Sequence, residues 1–288
     1  MDQGAIVRPP RWIVPVILLS LAALYWDFFG RIAQLWWNYD YAGHGMFVPL
    51  FSAVIAIGQY ERLVASADRG RWAGLGIVVI GLGIFAAGTA IRSLVVEGLS
   101  VPVVVAGLVV LAFGVRTLRE AAFAVAFLAL MVPLPQPAVD AVTTHLQIFA
   151  AIVAGGVLGL FGIPFLRNGD VIELAGLTLQ VAEACNGVRF LLGVVVLTLA
   201  YAEVTQRRLW RKAALAAAAI PAAVLANAVR VAGISTAAHF YGAEALGTPH
   251  LIIGKIVWIG TIVGLVLLGL AIRRVGTREP WVPHFRAS

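Results

Sequence analysis

Nine apolar runs, separated by short polar connections, dominate what this chain can fold into. They lie at about Trp12–Phe29, Met46–Gln59, Trp72–Ile91, Leu94–Gly114, Ala121–Val132, Leu146–Phe165, Val188–Ala202, Ala213–Ala238 and Leu251–Ile272. A helix that crosses a bilayer needs roughly 20 predominantly apolar residues, within a range of about 17–25. Several runs meet that length, and Ala121–Val132 falls furthest short before the helix-breaking Pro133-Leu134-Pro135-Gln136-Pro137. Composition agrees. Hydrophobic residues make up 61% of the 288, and only 12% are charged. A soluble domain carries about 25% charged residues. The expectation is an all-α polytopic membrane protein, a single integral-membrane domain over residues 1–288. The first run is read as a retained span, since no small-residue cleavage site follows it.

Basic residues set the orientation. With a cytoplasmic N-terminus, 15 of the 21 lysines and arginines fall in cytoplasmic segments: Arg8, Arg11; Arg62, Arg69, Arg71; Arg116, Arg119; Arg207, Arg208, Arg211, Lys212; and Arg273, Arg274, Arg278, Arg286. Arg31, Arg92, Arg167, Arg189, Arg230 and Lys255 remain. This clustering at segment ends explains the net charge of +7 without nucleic acid as a partner. The pattern closes if Leu146–Phe165 does not cross fully. About eight spans are therefore expected, with one interfacial or re-entrant helix at Leu146–Phe165. Both termini are cytoplasmic, the tail from about residue 273. Gly155, Gly156, Gly159, Gly162 and Pro164 suit an irregular, protein-packed segment.

Between Arg167 and Ala182 the period changes to two. Leu177, Leu179 and Val181 alternate with Thr178, Gln180 and Ala182, after turn signals at Asn168-Gly169-Asp170 and Ala175-Gly176. A small extracytoplasmic β-hairpin is expected there. It delivers the chain to Ala182-Glu183-Ala184-Cys185-Asn186-Gly187-Val188-Arg189, which holds the one cysteine of the sequence. A thiol at the start of an apolar helix, with Arg189 one turn further, is biased toward thiolate. A lone cysteine is otherwise a small buried apolar residue.

Arg230 sits inside an apolar run, with Asn227 three residues earlier on the same helical face. An arginine near mid-span is costly and usually faces a polar cavity; the alternative is snorkelling to the interface. His250 opens the last span and can exchange a proton near neutral pH. The topology puts Cys185, Arg230 and His250 at the outer ends of three successive spans. That is a nucleophile, a cation and a base on one side of the membrane, as covalent catalysis requires. Tyr41-Ala42-Gly43-His44-Gly45 opens the second span on the same side, where His44 is a second candidate base or substrate contact. Interfacial anchoring beside Trp36, Trp37 and Tyr39 would also account for it.

With Glu-Ala-Cys-Asn-Gly-Val-Arg at 183–189, Asn-Ala-Val-Arg at 227–230 and His250 followed by Gly254, the chain resembles the exosortase/archaeosortase family. Tyr41–Gly45 and Pro133-Leu134-Pro135 add to the resemblance, which runs from about Trp12 to Ile272. It implies a bacterial inner-membrane cysteine peptidase or transpeptidase with its site facing the periplasm. Its substrates would be proteins with a C-terminal sorting signal: a motif such as Pro-Glu-Pro, a transmembrane helix and a basic tail. Family members often accompany exopolysaccharide production. The resemblance assigns Cys185 as nucleophile and Arg230 and His250 as the other catalytic residues. Arg189, Asn227, Glu183, Asn186, His44 and Tyr41 are then supporting or substrate-binding positions. Asn186 stands where the family usually has Ser, and Phe190 where a small or polar residue is common.

The chemistry implied is acyl transfer through a thioester on Cys185. The Arg230 cation would stabilise the oxyanion, and His250 would move protons. An amine acceptor of unidentified structure, or water, would resolve the thioester. No metal and no cofactor is called for, and the partners are the substrate protein and the bilayer. Two other classes stay open at this point. One is a polytopic transporter, for which intramembrane Arg230 and a broken sixth segment would suit an anion site. The other is a non-catalytic component of exopolysaccharide export.

Overall fold

The computed structural model describes residues 12–39, 41–68, 72–175, 177–181 and 187–275. The chain divides into two compact units, one up to Leu134 and one from Pro135. The boundary falls in the Pro133–Pro135 stretch, where Pro135 takes an extended backbone (ψ 136°).

In the first unit, α1 (Ile13–Leu24) and α2 (Trp26–Asn38) meet at 73°. Tyr25 is the joint. It is fully buried against Phe28, Phe29 and Phe85, and its hydroxyl lies 2.8 Å from Ser100 Oγ. A short 3-10 turn (Gly43–Met46) leads into α3 (Phe47–Gly58), followed by α4 (Tyr60–Ala65). The Trp36 indole donates to the Met131 carbonyl (3.1 Å) across Gly45, where any side chain would collide with both. Next, α5 (Ala73–Ala90) lies along α6 (Leu94–Phe127). Gly74, Gly81 and Gly88 are buried on one stripe of α5 and let the two backbones approach closely.

Gly114 turns α6 back on itself. Its φ of 87° is open to glycine and costly for other residues. A Cβ placed on Gly98 would stand 2.7 Å from the Val132 side chain. Along a straight helix those positions would be about 50 Å apart, so α6 is two antiparallel arms. The reversal is pinned by Asp68, whose N–H donates to Phe113 O (3.0 Å), and by Ser66, whose hydroxyl meets Thr117 (3.4 Å). Ser52 donates to Ala124 O (2.6 Å) and ties the returning arm to α3. The sequence division into Leu94–Gly114 and Ala121–Val132 thus has its physical basis at Gly114, and the second arm begins before Arg116.

The second unit starts with α7 (Gln136–Leu160). Strands β1 (Phe165–Asn168), β2 (Val171–Leu174) and β3 (Leu177–Gln180) follow, then α8 (Gly187–Thr205), α9 (Leu209–Tyr241) and α10 (Thr248–Arg274). The strands form an antiparallel meander in the order β1-β2-β3, with Leu166 opposite Glu173 and Ile172 opposite Leu179. The hairpin expectation is corrected by one strand. The chain reverses at Gly169-Asp170, so the residues before that turn also pair. Ile172, Leu174, Leu179 and Val181 bury against α7 (Ala150, Ala151, Ala154, Leu158) and the far half of α9 (Ala228, Val231, Ala232, Ile234, Ala238). At the opposite end, Arg211 donates to Val275 O (3.0 Å) and Gln206 to Gly269 O (3.1 Å). The basic starts and ends of α9 and α10 therefore share one end of this unit, away from the sheet.

Among the described residues, six helices are long and apolar enough to cross a membrane, or seven if the bent α1–α2 pair counts as one span; both arms of α6, with the continuation to Met131, are counted there as one. Two elements differ from the expected Met46–Gln59 span and the irregular Leu146–Phe165 segment. Residues Phe47–Gly58 make only a 12-residue helix. Residues Gln136–Leu160 form one unbroken 25-residue helix, itself long enough to cross. The glycines there do not break it. Gly155 lets Phe165 pack on the helix, since a Cβ would stand 2.8 Å from that ring. Only Gly162, past the helix end, takes a positive φ.

Candidate active site

Helix α9 supplies two polar side chains one turn apart. Asn227 is 2% exposed. Its carboxamide packs on the start of α8, where a Cβ added to Gly187 would stand 2.9 Å from Asn227 Nδ2. Asn227 Oδ1 is buried and has no hydrogen-bond partner among the described residues. Arg230, three residues on, lies on the same face. Its Nη2 is 3.0 Å from His250 Nε2. Its Nε is buried and, among the described residues, also lacks a partner.

Helix α10 brings His250 to that guanidinium. Pro249 stands in the first turn of the helix, where a missing N–H costs nothing, and His250 follows at once. Gly254, one turn further, leaves the room. A Cβ there would be 3.3 Å from Arg230 Nε and 3.6 Å from Cζ and Nη2. A guanidinium only donates, so His250 accepts through Nε2, and the neutral ring carries its proton on Nδ1. A doubly protonated ring could not accept this bond.

The result is a half-buried Arg–His pair in which one buried donor, Arg230 Nε, and a buried acceptor on the same face, Asn227 Oδ1, have no hydrogen-bond partner among the described residues. Buried polar groups are nearly always hydrogen-bonded. Arg230 and His250, two of the three residues singled out in the sequence as catalytic, are thus in direct contact, with Asn227 adjacent. The third, Cys185, lies outside the described residues, as do Glu183 and Asn186. Arg189 is exposed in the first turn of α8, between buried Val188 and Phe190. Among the described residues no three of His, Cys, Asp and Glu gather as a metal site.

His44 and Tyr41 belong to the first unit. His44 sits in the 3-10 turn with Nδ1 3.1 Å from Tyr41 O, and the Tyr41 ring packs at 6.0 Å from Tyr39. The same unit holds a polar cluster that the sequence reading missed. Glu97 is 0% exposed, and its Oε2 accepts from Arg31 Nη2 at 2.5 Å. Arg31 Nε also donates to Asp27 (2.8 Å), and Ser100 Oγ donates to Glu97 O (2.5 Å). The available signal was a glutamate inside an apolar run and an Arg31 that the orientation rule left over.

A bundle of apolar helices with an arginine and a histidine joined inside it defines a polytopic membrane protein with a built polar site. The chain belongs to the transmembrane exosortase family, whose model, described as Transmembrane exosortase, matches residues 36–270. No curated protein and no solved structure matches it.

Proposed function

We propose that this exosortase-family protein is a membrane cysteine peptidase or transpeptidase. It cleaves proteins bearing a C-terminal sorting signal and passes the acyl group to an amine or to water. The observation that carries the reading is the Arg230–His250 pair with Asn227 packed on Gly187. Cys185 lies outside the described residues, two positions before Gly187 in the sequence.

In this mechanism the Cys185 thiolate attacks the scissile carbonyl carbon. A C–S bond forms, and the carbonyl π electrons move to oxygen. Arg230 holds that oxyanion, a stabilisation that is strong where water is excluded. As substrate binds, the guanidinium turns to the carbonyl oxygen and frees His250 Nε2, which takes the thiol proton as the thiolate forms and then gives it to the leaving amine. The C–N bond breaks and leaves a thioester. An acceptor amine or water attacks it, loses its proton to His250, and regenerates the thiol.

The site is assigned to the periplasmic side of a bacterial inner membrane, with both termini cytoplasmic. Support comes from the basic residues. Lys212 and Arg230 are separated by 18 residues of α9, about 27 Å at 1.5 Å per residue. That is close to the roughly 30 Å thickness of the hydrocarbon layer. With the basic end at one interface, Arg230 arrives at the other, beside the sheet.

The transporter reading has one observation in its favour: the broken α1–α2 pair beside the buried Arg31–Glu97 ion pair. One experiment separates the two. Purified protein in lipid nanodiscs is mixed with a peptide carrying Pro-Glu-Pro, an apolar span and a basic tail. Wild type should cleave it and Cys185→Ala should not. Equal cleavage by both would end the peptidase reading.

A further inference from the structure

Two atoms in the site are unused by the fold and complementary in kind. Asn227 Oδ1 is a buried acceptor and Arg230 Nε–H a buried donor, and neither has a partner among the described residues. Their residues are one helical turn apart, with Cβ atoms about 5–6 Å from each other. Asn227 is 2% exposed, so water does not satisfy its oxygen. A buried polar group left without a partner is rare and destabilising. Gly254 lets α10 pack directly on the guanidinium, and Gly187 lets the start of α8 pack on the carboxamide. An extended peptide presents the complementary pair of groups, an N–H for the acceptor and a C=O for the donor.

We infer that Asn227 and Arg230 together clamp the substrate main chain beside the bond that is cut. Asn227 Oδ1 accepts a backbone N–H, and Arg230 Nε donates to a neighbouring carbonyl oxygen. Recognition at this point reads backbone rather than side chain. It suits an extended motif held at the membrane surface, and it aligns the scissile carbonyl with the cation that takes its developing charge. Asn227 thereby becomes a substrate-positioning residue. The inference rests on the peptidase reading above and specifies how that site takes its substrate.

The test is an ester scan combined with substitution of Asn227. In the Pro-Glu-Pro peptide, each non-proline backbone N–H around the motif, other than that of the cut bond, is replaced in turn by an ester oxygen. Wild type should lose roughly tenfold in kcat/KM at one position, the size of one buried hydrogen bond. In Asn227→Ala the same replacement should cost nothing further, because the acceptor is already gone. Asn227→Asp keeps an acceptor oxygen and should stay ester-sensitive at that position, which separates loss of the contact from loss of the fold. The same cycle is read as peptide affinity in a Cys185→Ala background, so it reports on the clamp even where turnover is absent. Failure of cleavage would count against the peptidase reading alone. Ester effects that are equal with and without Asn227 at every position, or an ester-insensitive Asn227→Asp, would overturn the clamp.

Discussion

Replacing Arg230 by lysine conserves charge and, on this geometry, should still disable the enzyme. Arg230 uses two different nitrogens: Nη2 reaches His250 Nε2 at 3.0 Å, and Nε is buried beside Gly254 with no described partner. A planar guanidinium can keep Nε on a substrate carbonyl while Nη2 passes from His250 to the oxyanion. Lysine brings one nitrogen on a flexible stem. Whichever oxygen that nitrogen takes, the other loses its donor. Loss of one oxyanion donor costs about 10²–10³ in turnover, or about 2.7–4 kcal/mol. Arg230→Lys should therefore fall by about that factor in kcat, with KM much less affected. The assay is purified enzyme with the sorting-signal peptide under single-turnover and steady-state conditions, alongside a melting curve that establishes a native fold. An Arg230→Lys enzyme within threefold of wild type would refute the reasoning and leave Arg230 as an interfacial arginine.

Three other outcomes follow from the same structure. Gly254→Ala places a methyl 3.3 Å from Arg230 Nε, so it should displace the guanidinium by tenths of an ångström and lower kcat about tenfold with little change in Tm. Arg31→Met strands the fully buried Glu97 carboxylate and should cost roughly 3–5 kcal/mol. Glu97→Gln should cost less, because Arg31 is 37% exposed and can rehydrate; melting of the two variants in one detergent compares them. Reporter fusions after Asn168 should be active outside the cytoplasm and fusions after Arg208 inside; a shared compartment would break the orientation argument.

Much of the site was legible because its residues are chemically out of place. An arginine inside an apolar run and a histidine opening a span stand out in one dimension, and their meeting across α9 and α10 needs only two adjacent antiparallel helices. The turn at Gly114 was legible through Arg116 and Arg119, which interrupt two apolar runs. The third strand was not, because Phe165–Asn168 shows no clean alternation and pairs only once Val171–Leu174 is present to receive it. The irregularity expected of Leu146–Phe165 is not found as far as Leu160, because a glycine pattern is the same whether it loosens a helix or lets an aromatic ring sit on it, as the Phe165 ring does on Gly155. Glu97 stayed hidden because its partner lies 66 positions away. The gap that Gly187 makes for Asn227 is likewise a fact of packing.

The central claim is that Cys185 carries the acyl group, and the direct measurement is intact mass. Wild-type protein mixed briefly with the sorting-signal peptide and quenched in acid should gain the mass of the acyl fragment. Hydroxylamine should remove that mass, and digestion should map it to the segment holding Cys185. His250→Ala should accumulate the adduct more slowly, and Cys185→Ala should show none. Peptide cleavage by wild type with no adduct at any time point, or an adduct that persists in Cys185→Ala, would contradict the account.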